Sequence, residues 1–365
     1  MCAQSPFLEP HPKFDSLFFT RLLTIVTVRR HRTKRLGVQC FMKLRPVLWL
    51  SLLTVAPRVW AQNPEPKLAA SFALQTQKLE WHDAARQRAV PVTLHFPATG
   101  AGPFPLLIIS HGLGSNRDGL NFIGQFYARN GYICAQIQHI DSDDSLWRGA
   151  ANPLAALAKA AGSQDAINNR PLDARFAIDQ MITLNGDANS PLFGRIDTQN
   201  IGIAGHSFGA FTAQAVAGRG SAQKPEWSDA RVKACVAMSA PSGTPETIRP
   251  QFAGFKVPFF FLTGTEDNIP FVTPETTPET RRAAFEAITG VDGYYLLLKD
   301  ADHLSFAGQR LFGEAPSDAR DHDLIRASTL LFFDAYLKNS ATAKRELRDG
   351  GFARQLGENG TLEVK

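Results

Sequence analysis

The chain has 365 residues, of which 44% are hydrophobic and 20% charged, the composition of a soluble globular protein that buries a sizeable core. Its formal net charge of +5 comes from residues 1–61, which hold ten Lys or Arg against two Asp or Glu. The rest of the chain, with 29 basic and 32 acidic residues, carries a net charge of −3. This balance gives no indication of nucleic acid as a partner.

The sequence up to Ala61 has the features of a leader. From Met42, two basic residues precede an apolar run over residues 47–56, and Val59-Trp60-Ala61 offers a small-residue cleavage site, as in a secretory signal peptide. We expect translation to start at Met42, cleavage to follow Ala61, and the mature protein to be periplasmic or secreted without a stable membrane span. A membrane anchor or a buried helix is the alternative, although the apolar run is too short to span a bilayer comfortably.

Residues 62–365 read as a single domain that begins with strands. A polar, Pro-containing linker over residues 64–70 leads into two alternating segments, residues 72–81 and 90–96, which predict a β-hairpin. Six further apolar runs predict buried strands of the kind found in parallel sheets. They are residues 104–110, 131–139, the run from residue 201 to Ser207, 232–239, 257–263 and 294–298.

Segments with a helical spacing of apolar residues lie between and after these strands. They are residues 120–129, 171–184, 211–217, 277–289 and a long amphipathic segment from His322 to Leu337, or as far as Leu347. Pro171 suits the first turn of the second of these helices, because that position needs no backbone donor. Since strand and helix alternate, we predict an α/β fold, a mostly parallel eight-stranded sheet with helices on both faces.

Residues 141–170 interrupt this alternation. They are polar, Ala-rich and irregular, with Trp147, Leu154 and Leu157 among their few large apolar side chains. An insertion at this point of the chain would lie over the strand ends, so the segment is a candidate lid, and Trp147 and Leu157 are candidate contacts for a substrate. An ordinary surface helix of Ala-rich composition is the alternative.

The sequence gives no sign of a metal or cofactor. Asp141, Asp143 and Asp144 are spaced as in part of a calcium loop, but no glycine follows where such a loop turns, so we interpret them as loop and helix-cap residues. Cys134 and Cys235 lie inside apolar strand-like runs, where cysteine is usually a small buried hydrophobe. Export would permit a disulfide between them without requiring one.

The strongest local signal is Gly205-His206-Ser207-Phe208-Gly209. A short apolar strand precedes it and a small-residue helix follows, which is the context of a nucleophile elbow. Such an elbow holds its serine in a strained turn so that the hydroxyl projects clear of the sheet, and side chains at 205 and 209 would collide there. We therefore predict Ser207 as a nucleophile.

A second signal directly follows the strand that ends at Ser110. His111-Gly112-Leu113-Gly114 is a glycine-rich turn that lets the main chain approach a substrate, as acyl transfer requires for stabilising an oxyanion. The donors would be the amides of Leu113 and of Phe208, the residue after the nucleophile. His111 is a further candidate contact for the substrate. The alternative is a simple turn at the start of a helix.

The remaining partners follow from chain order, since serine, acid and histidine occur in that order in one large class of hydrolases. His303, after the last predicted strand, is the candidate general base. Asp267, at the end of the preceding strand, is the candidate acid, with the adjacent Glu266 left open. Asp300 and Asp302 are too close to His303 in the chain to reach its far nitrogen easily.

The hairpin with Trp81, the turn from Ser110 to Gly114, and the Gly205–Gly209 elbow together resemble bacterial dienelactone-hydrolase-like proteins related to platelet-activating-factor acetylhydrolase, over roughly residues 72–335. The resemblance implies an α/β-hydrolase fold, cleavage of esters, and the nucleophile, base and oxyanion donors assigned above. Two features depart from it. True dienelactone hydrolases use a cysteine nucleophile, and the acetylhydrolases place their acid after the strand that follows the elbow, where this chain has Ser239-Ala240-Pro241.

These features predict an exported serine ester hydrolase that works through an acyl-enzyme. Apolar residues around the predicted site favour an ester with an apolar acyl or aryl group, a small molecule or a lipid-like compound. A serine peptidase of the same fold is one alternative, and a binding protein on a hydrolase scaffold is another. The oligomeric state stays open.

Overall fold

A computed structural model describes residues 71–268, 276–308 and 317–365. The predicted signal peptide, its cleavage site and the linker that follows lie outside these ranges. Among the helices in these ranges, none has both the length and the apolar character needed to cross a bilayer.

Within the described residues, one sheet contains nine strands in the order β1-β2-β4-β3-β5-β6-β7-β8-β9. The strands from β4 through β8 run parallel, whereas β1, β2 and β9 pair antiparallel at the two edges. The bounds are β1 Leu74–Asp83, β2 Arg88–Pro97, β3 Phe104–Ser110, β4 Ile133–Ile137, β5 Ile196–His206, β6 Val232–Met238, β7 Phe259–Glu266, β8 Gly293–Asp302 and β9 Gly360–Val364. The predicted mostly parallel sheet is confirmed.

The prediction of eight strands was wrong by one. The ninth, β9, pairs antiparallel with β8 at the edge of the sheet. Its sequence Gly-Thr-Leu-Glu-Val is short and alternates polar with apolar residues, so it has none of the continuous apolar character that marks the central strands. The segment is a strand because it forms backbone hydrogen bonds with β8.

Helices cover both faces of the sheet. Their bounds are α1 Asn121–Arg129, α2 Pro153–Ala161, α3 Gln164–Gly186, α4 Phe208–Val216, α5 Pro245–Ile248, α6 Pro278–Ala287, α7 Asp318–Leu337, α8 Ala341–Arg348 and α9 Gly351–Leu356. Helices α3, α4 and α6 pack on one face, and α1 and α7 pack on the other. The predicted helices on both faces are therefore confirmed.

The core consists of two layers separated by the sheet, and alternation along the strands assigns each side chain to one layer. In β3, Leu106 and Ile108 face the layer beneath α3 and α4, while Leu107 and Ile109 face the layer beneath α1 and α7. Cys134 and Cys235 are both buried in these layers with free thiols, and burial raises the pKa of each thiol.

Helix α3 begins earlier than predicted. Ser163 caps it by accepting a hydrogen bond from the amide of Ala166, so Pro171 lies inside the helix and not in its first turn. The helix tolerates the proline although Pro171 cannot donate to the carbonyl of Ile167. The candidate lid is consequently shorter than residues 141–170. Residues 164–170 belong to α3, and a short turn at Asp144–Leu146 and helix α2 form the rest.

Candidate active site

Ser207 lies in the tight turn between β5 and α4, with backbone angles of φ 55° and ψ −118° that a non-glycine residue rarely adopts. The turn depends on its two glycines. A Cβ at Gly205 would lie 2.1 Å from the carbonyl oxygen of Gly209, and one at Gly209 would lie 1.9 Å from the carbonyl oxygen of Ser110. Both positions therefore exclude a side chain, as the sequence pattern indicated.

One imidazole connects the serine to a buried carboxylate. His303 Nε2 lies 3.0 Å from Ser207 Oγ, and His303 Nδ1 lies 2.9 Å from Asp267 Oδ1. Asp267 is completely buried, whereas the neighbouring Glu266 is exposed. Asp302 points elsewhere, because its carboxylate caps the turn at 303–306 by accepting from the amides of Leu304 and Ser305.

Four groups hold the carboxylate of Asp267. The hydroxyls of Ser239 and Thr263 donate to Oδ2 at 2.6 and 2.7 Å, and the Arg281 guanidinium lies 3.1 Å from Oδ1, the oxygen that also contacts His303. Burial raises the pKa of this carboxyl, but the hydrogen bond and charge of His303, the charge of Arg281 and the hydrogen bond from Ser239 outweigh it. The pKa of Asp267 therefore lies well below its usual range, and the group is ionised.

Ser239 is a site residue that the sequence did not reveal. It follows β6 in a left-handed conformation, φ 53°, and its hydroxyl lies 2.5 Å from His303 Nδ1 as well as against Asp267. This is the strand end at which acetylhydrolases carry their acid. In this chain the residue there is a serine, and it donates a hydrogen bond to the carboxylate of Asp267, which follows the next strand. Arg281 escaped notice for another reason, since it reaches the site from α6 with no motif around it.

The glycine-rich turn after β3 lies against the elbow. A Cβ at Gly112 would come within 3.4 Å of Ser207 Cβ. The turn is fixed by two backbone hydrogen bonds, from Ser115 to the carbonyl of Gly112 and from Gly114 to the carbonyl of Ser142. Across from it, Phe208 is the first residue of α4, and the first amides of a helix have no intrahelical acceptor.

Trp147 and Leu157, from the candidate lid, pack on this turn. The indole of Trp147 donates to the carbonyl of Gly114 at 2.6 Å, and Leu157 Cδ2 lies 2.6 Å from where a Cβ on Gly114 would be. Leu304, the residue after His303 in the chain, is 38% exposed. Two apolar side chains of the candidate lid therefore lie against the turn.

The structure places the ring of His111 in the interior, behind the glycine-rich turn. The ring is buried, its Nδ1–H donates to the carbonyl of Gly112 at 2.6 Å, and its Nε2 accepts from the amide of His139 at 3.1 Å. Burial, then the charge of Arg170, holds its pKa well below the usual range. Both ring nitrogens hydrogen-bond to the main chain, so the neutral ring of His111 connects the glycine-rich turn to the main chain at His139. Sequence alone could not show which way the side chain points.

His206, within the elbow, is also a buried histidine that hydrogen-bonds to the main chain. Its Nε2 donates to the carbonyl of His303 at 3.0 Å, and the two rings lie 4.8 Å apart between centroids. Burial, followed by the proximity of His303, lowers the pKa of His206 well below its usual range. The neutral ring of His206 thereby ties the turn that carries His303 to the strand that carries Ser207.

A protein-family model described as PET hydrolase-like matches residues 158–311, a stretch that includes Ser207, Asp267 and His303. This is an α/β-hydrolase family related to dienelactone-hydrolase-like esterases, and it agrees with the mixed sheet covered by helices on both sides. The described residues have the α/β-hydrolase fold. The match supports an ester-hydrolysing serine hydrolase in general. Within the described part of this α/β-hydrolase, no three His, Cys, Asp or Glu residues are grouped so that they could hold a metal ion.

Proposed function

We propose that this α/β-hydrolase cleaves carboxylic esters through Ser207 as nucleophile, His303 as general base and Asp267 as the acid that orients the imidazole. The observation that carries the proposal is the unbroken chain of contacts from the carboxylate through the imidazole to the hydroxyl, with distances of 2.9 and 3.0 Å. The strained elbow and the glycine-rich turn beside it support the same assignment.

In the proposed reaction, His303 Nε2 takes the proton of Ser207 as Oγ attacks the ester carbonyl. The amides of Leu113 and Phe208 donate to the developing oxyanion. The imidazolium formed at His303 is stabilised by the ionised carboxylate of Asp267 and then gives its proton to the departing alcohol. A water molecule, activated by the same imidazole, hydrolyses the acyl-enzyme and releases the acid.

The apolar surroundings support an uncharged ester with an apolar acyl or aryl group, a small molecule or a lipid-like compound. Trp147 and Leu157 pack on the oxyanion turn, Phe208 follows the nucleophile, and Leu304 follows the base; all four side chains are apolar. The description of the matched family, PET hydrolase-like, further supports an aromatic ester.

The substrate proposal is tested by measuring kcat/KM of the mature protein on p-nitrophenyl esters of increasing acyl length, on aryl esters and on aminoacyl amides. We expect turnover of the apolar esters and a rate on the amides that is lower by orders of magnitude. Preferential cleavage of the amides would instead identify a peptidase.

We also propose that the protein is exported by a signal peptide that starts at Met42. Sequencing the N-terminus of the protein from the periplasm or medium is expected to give Gln62 as the first residue. A mature start upstream of Met42, or a protein that stays with the cytoplasmic fraction, would contradict this proposal.

A further inference from the structure

Helix α3 places a charged side chain behind the oxyanion turn. Arg170 is completely buried, and its guanidinium donates to four oxygens. Nε donates to Thr212 Oγ1 at 3.0 Å, Nη1 to Ser142 Oγ at 2.7 Å, and Nη2 to Ser110 Oγ at 3.1 Å and to the carbonyl of His111. A buried charge without complete hydrogen bonding is strongly destabilising. Because the guanidinium of Arg170 has four acceptors, we infer that it is held in one position.

Arg170 contacts both segments that supply the proposed oxyanion donors. The carbonyl of His111 belongs to the turn that carries Leu113, two residues later. On the other side, the guanidinium carbon lies 4.5 Å from the centroid of the Phe208 ring, within the range of a cation–π contact. Thr212, which accepts from Nε, in turn donates to the carbonyl of Phe208. One side chain therefore joins two segments that are far apart in the sequence.

A second set of buried groups holds Ser110, one of the acceptors of Arg170. Its hydroxyl lies 2.9 Å from His139 Nε2, and His139 Nδ1 lies 2.9 Å from Asp173 Oδ2. The guanidinium of Arg88 donates to both oxygens of Asp173, at 2.8 and 3.0 Å. This has the Asp, His, Ser connectivity of the proposed active site, but Ser110, His139 and Asp173 are all completely buried, so an ester cannot reach the hydroxyl.

The charge of Arg170 persists in this setting. Burial lowers the pKa of the guanidinium to about 9, while the charges of Asp141 and Asp173 oppose the shift. At neutral pH the side chain is therefore protonated and donates all of the hydrogen bonds described above.

We propose that Arg170 is a positioning residue that fixes the amides of Leu113 and Phe208 relative to each other, and so sets the geometry of the oxyanion hole. The proposal rests on the proposed function. Because an oxyanion is present only in the transition state and the tetrahedral intermediate, the loss of Arg170 should affect kcat and spare KM. A displacement of about 1 Å in such a site lowers rates by about 100-fold.

The test compares Arg170→Met and Arg170→Lys with the parent protein on a p-nitrophenyl ester. We expect kcat to fall about 10- to 100-fold in Arg170→Met, with KM changed less than about threefold, and an intermediate loss in Arg170→Lys. A boronic acid, which forms a tetrahedral adduct with a serine hydroxyl, should bind more weakly by the same factor. A competing alcohol that mimics only the leaving group should bind unchanged.

Arg219→Met is the matched control. Arg219 is also a buried arginine that stacks on aromatic rings, Phe211 and Phe252, and it hydrogen-bonds to Gln214 and Gln251. Its contacts on α4 are to Phe211 and Gln214, and no hydrogen bond or cation–π contact of the described structure joins it to Phe208 or to residues 111–114. We expect its replacement to lower thermal stability and to leave kcat and boronate affinity within about twofold of the parent values.

If Arg170→Met does not fold, Ser142→Ala serves in its place, because it removes a single acceptor of the guanidinium and should lower kcat and boronate affinity together by a smaller factor. The inference is overturned if a folded variant has a raised KM and an unchanged kcat, or if its boronate affinity equals that of the parent. Labelling of Ser110 by a fluorophosphonate would overturn it as well. A parent protein that neither turns over esters nor reacts with the fluorophosphonate would refute the proposed function itself, which separates the two failures.

Discussion

Asp267 shows how much of the site depends on single hydrogen bonds. Its Oδ2 accepts from Ser239 and Thr263, which leaves Oδ1 for the imidazole of His303 and for Arg281. A hydrogen bond to a charged group contributes about 1.5–3 kcal/mol, so each of these donors affects both stability and the orientation of the acid.

Replacing Ser239 with alanine removes one of the two donors to Oδ2. We expect the free energy of unfolding to fall by about 1–2 kcal/mol and kcat to fall about 10-fold, because the carboxylate loses part of its support. Ser242→Ala is the control, since its buried hydroxyl pairs with the neutral Thr280 Oγ1 at 2.9 Å and not with the acid. Equal values of kcat in the two variants, measured on the same ester, would show that Ser239 does not support Asp267.

At the residue scale, the sequence was informative where chemistry follows a local pattern. The elbow, the strand ends and the chain order selected Ser207, Asp267 and His303, and the structure brings these three side chains together. The sequence was uninformative where the role of a side chain depends on tertiary neighbours. Arg170 and Arg281 reach the site from helices, and the orientation of His111 toward the interior has no signature in the residues around it.

The elbow is the element whose geometry tolerates least change. A Cβ at Gly209 would overlap the carbonyl oxygen of Ser110 at 1.9 Å, and backbone atoms have little room to move. We expect Gly209→Ala to lower the free energy of unfolding by at least about 3 kcal/mol. The matched control is Gly186→Ala at the end of α3, where a Cβ meets nothing within 4 Å and which should lie within about 1 kcal/mol of the parent. Denaturant melts of both variants check this, and equal stabilities would contradict it.

Helix α2 allows a second comparison at this scale. Leu157 packs on the oxyanion turn at Gly114, whereas Leu154 on the same helix is 73% exposed. If α2 forms a wall of the acyl site, Leu157→Ala should lower kcat/KM for the longest apolar ester about 10-fold and affect the acetate ester little. Leu154→Ala should leave both rates unchanged. A loss that is the same for every acyl length would place Leu157 outside the acyl site.

The predictions of whole elements were wrong where tertiary contacts, and not the local sequence, determine the secondary structure. Strand β9 has the composition of a loop and exists because it pairs with β8. Helix α3 extends seven residues ahead of Pro171 because Ser163 supplies a cap and residues such as Arg170 find buried partners. Strands such as β3 and β6 were predicted well, because a strand that is buried on both faces has a continuous run of apolar residues.

At the scale of the whole molecule, buried histidines make stability depend on pH, and the pKa shift is largest in three of them. Burial is the first cause that holds the pKa values of His111, His139 and His206 well below the usual range, so all three are neutral in the folded protein. The unfolded chain takes up protons at these residues below about pH 6.5, which favours unfolding as the pH falls.

We therefore expect a plateau of stability above about pH 7 and a decline below pH 6.5 of up to about 1.4 kcal/mol per pH unit for each histidine. Denaturant melts between pH 8 and pH 5 measure this slope. His139→Gln should reduce the slope by the contribution of one histidine, up to about 1.4 kcal/mol per pH unit, because the other buried histidines remain. A free energy of unfolding that stays constant from pH 7 to pH 5 would contradict the neutral, buried state of these rings.

The most direct measurement of the central claim is covalent labelling by a fluorophosphonate, with the modified residue identified by mass spectrometry and ester turnover followed in parallel. The account predicts one adduct, on Ser207, that disappears in Ser207→Ala, and a loss of kcat of about 10⁴-fold or more in His303→Gln. An adduct on another residue, or ester turnover that persists in Ser207→Ala, would contradict it.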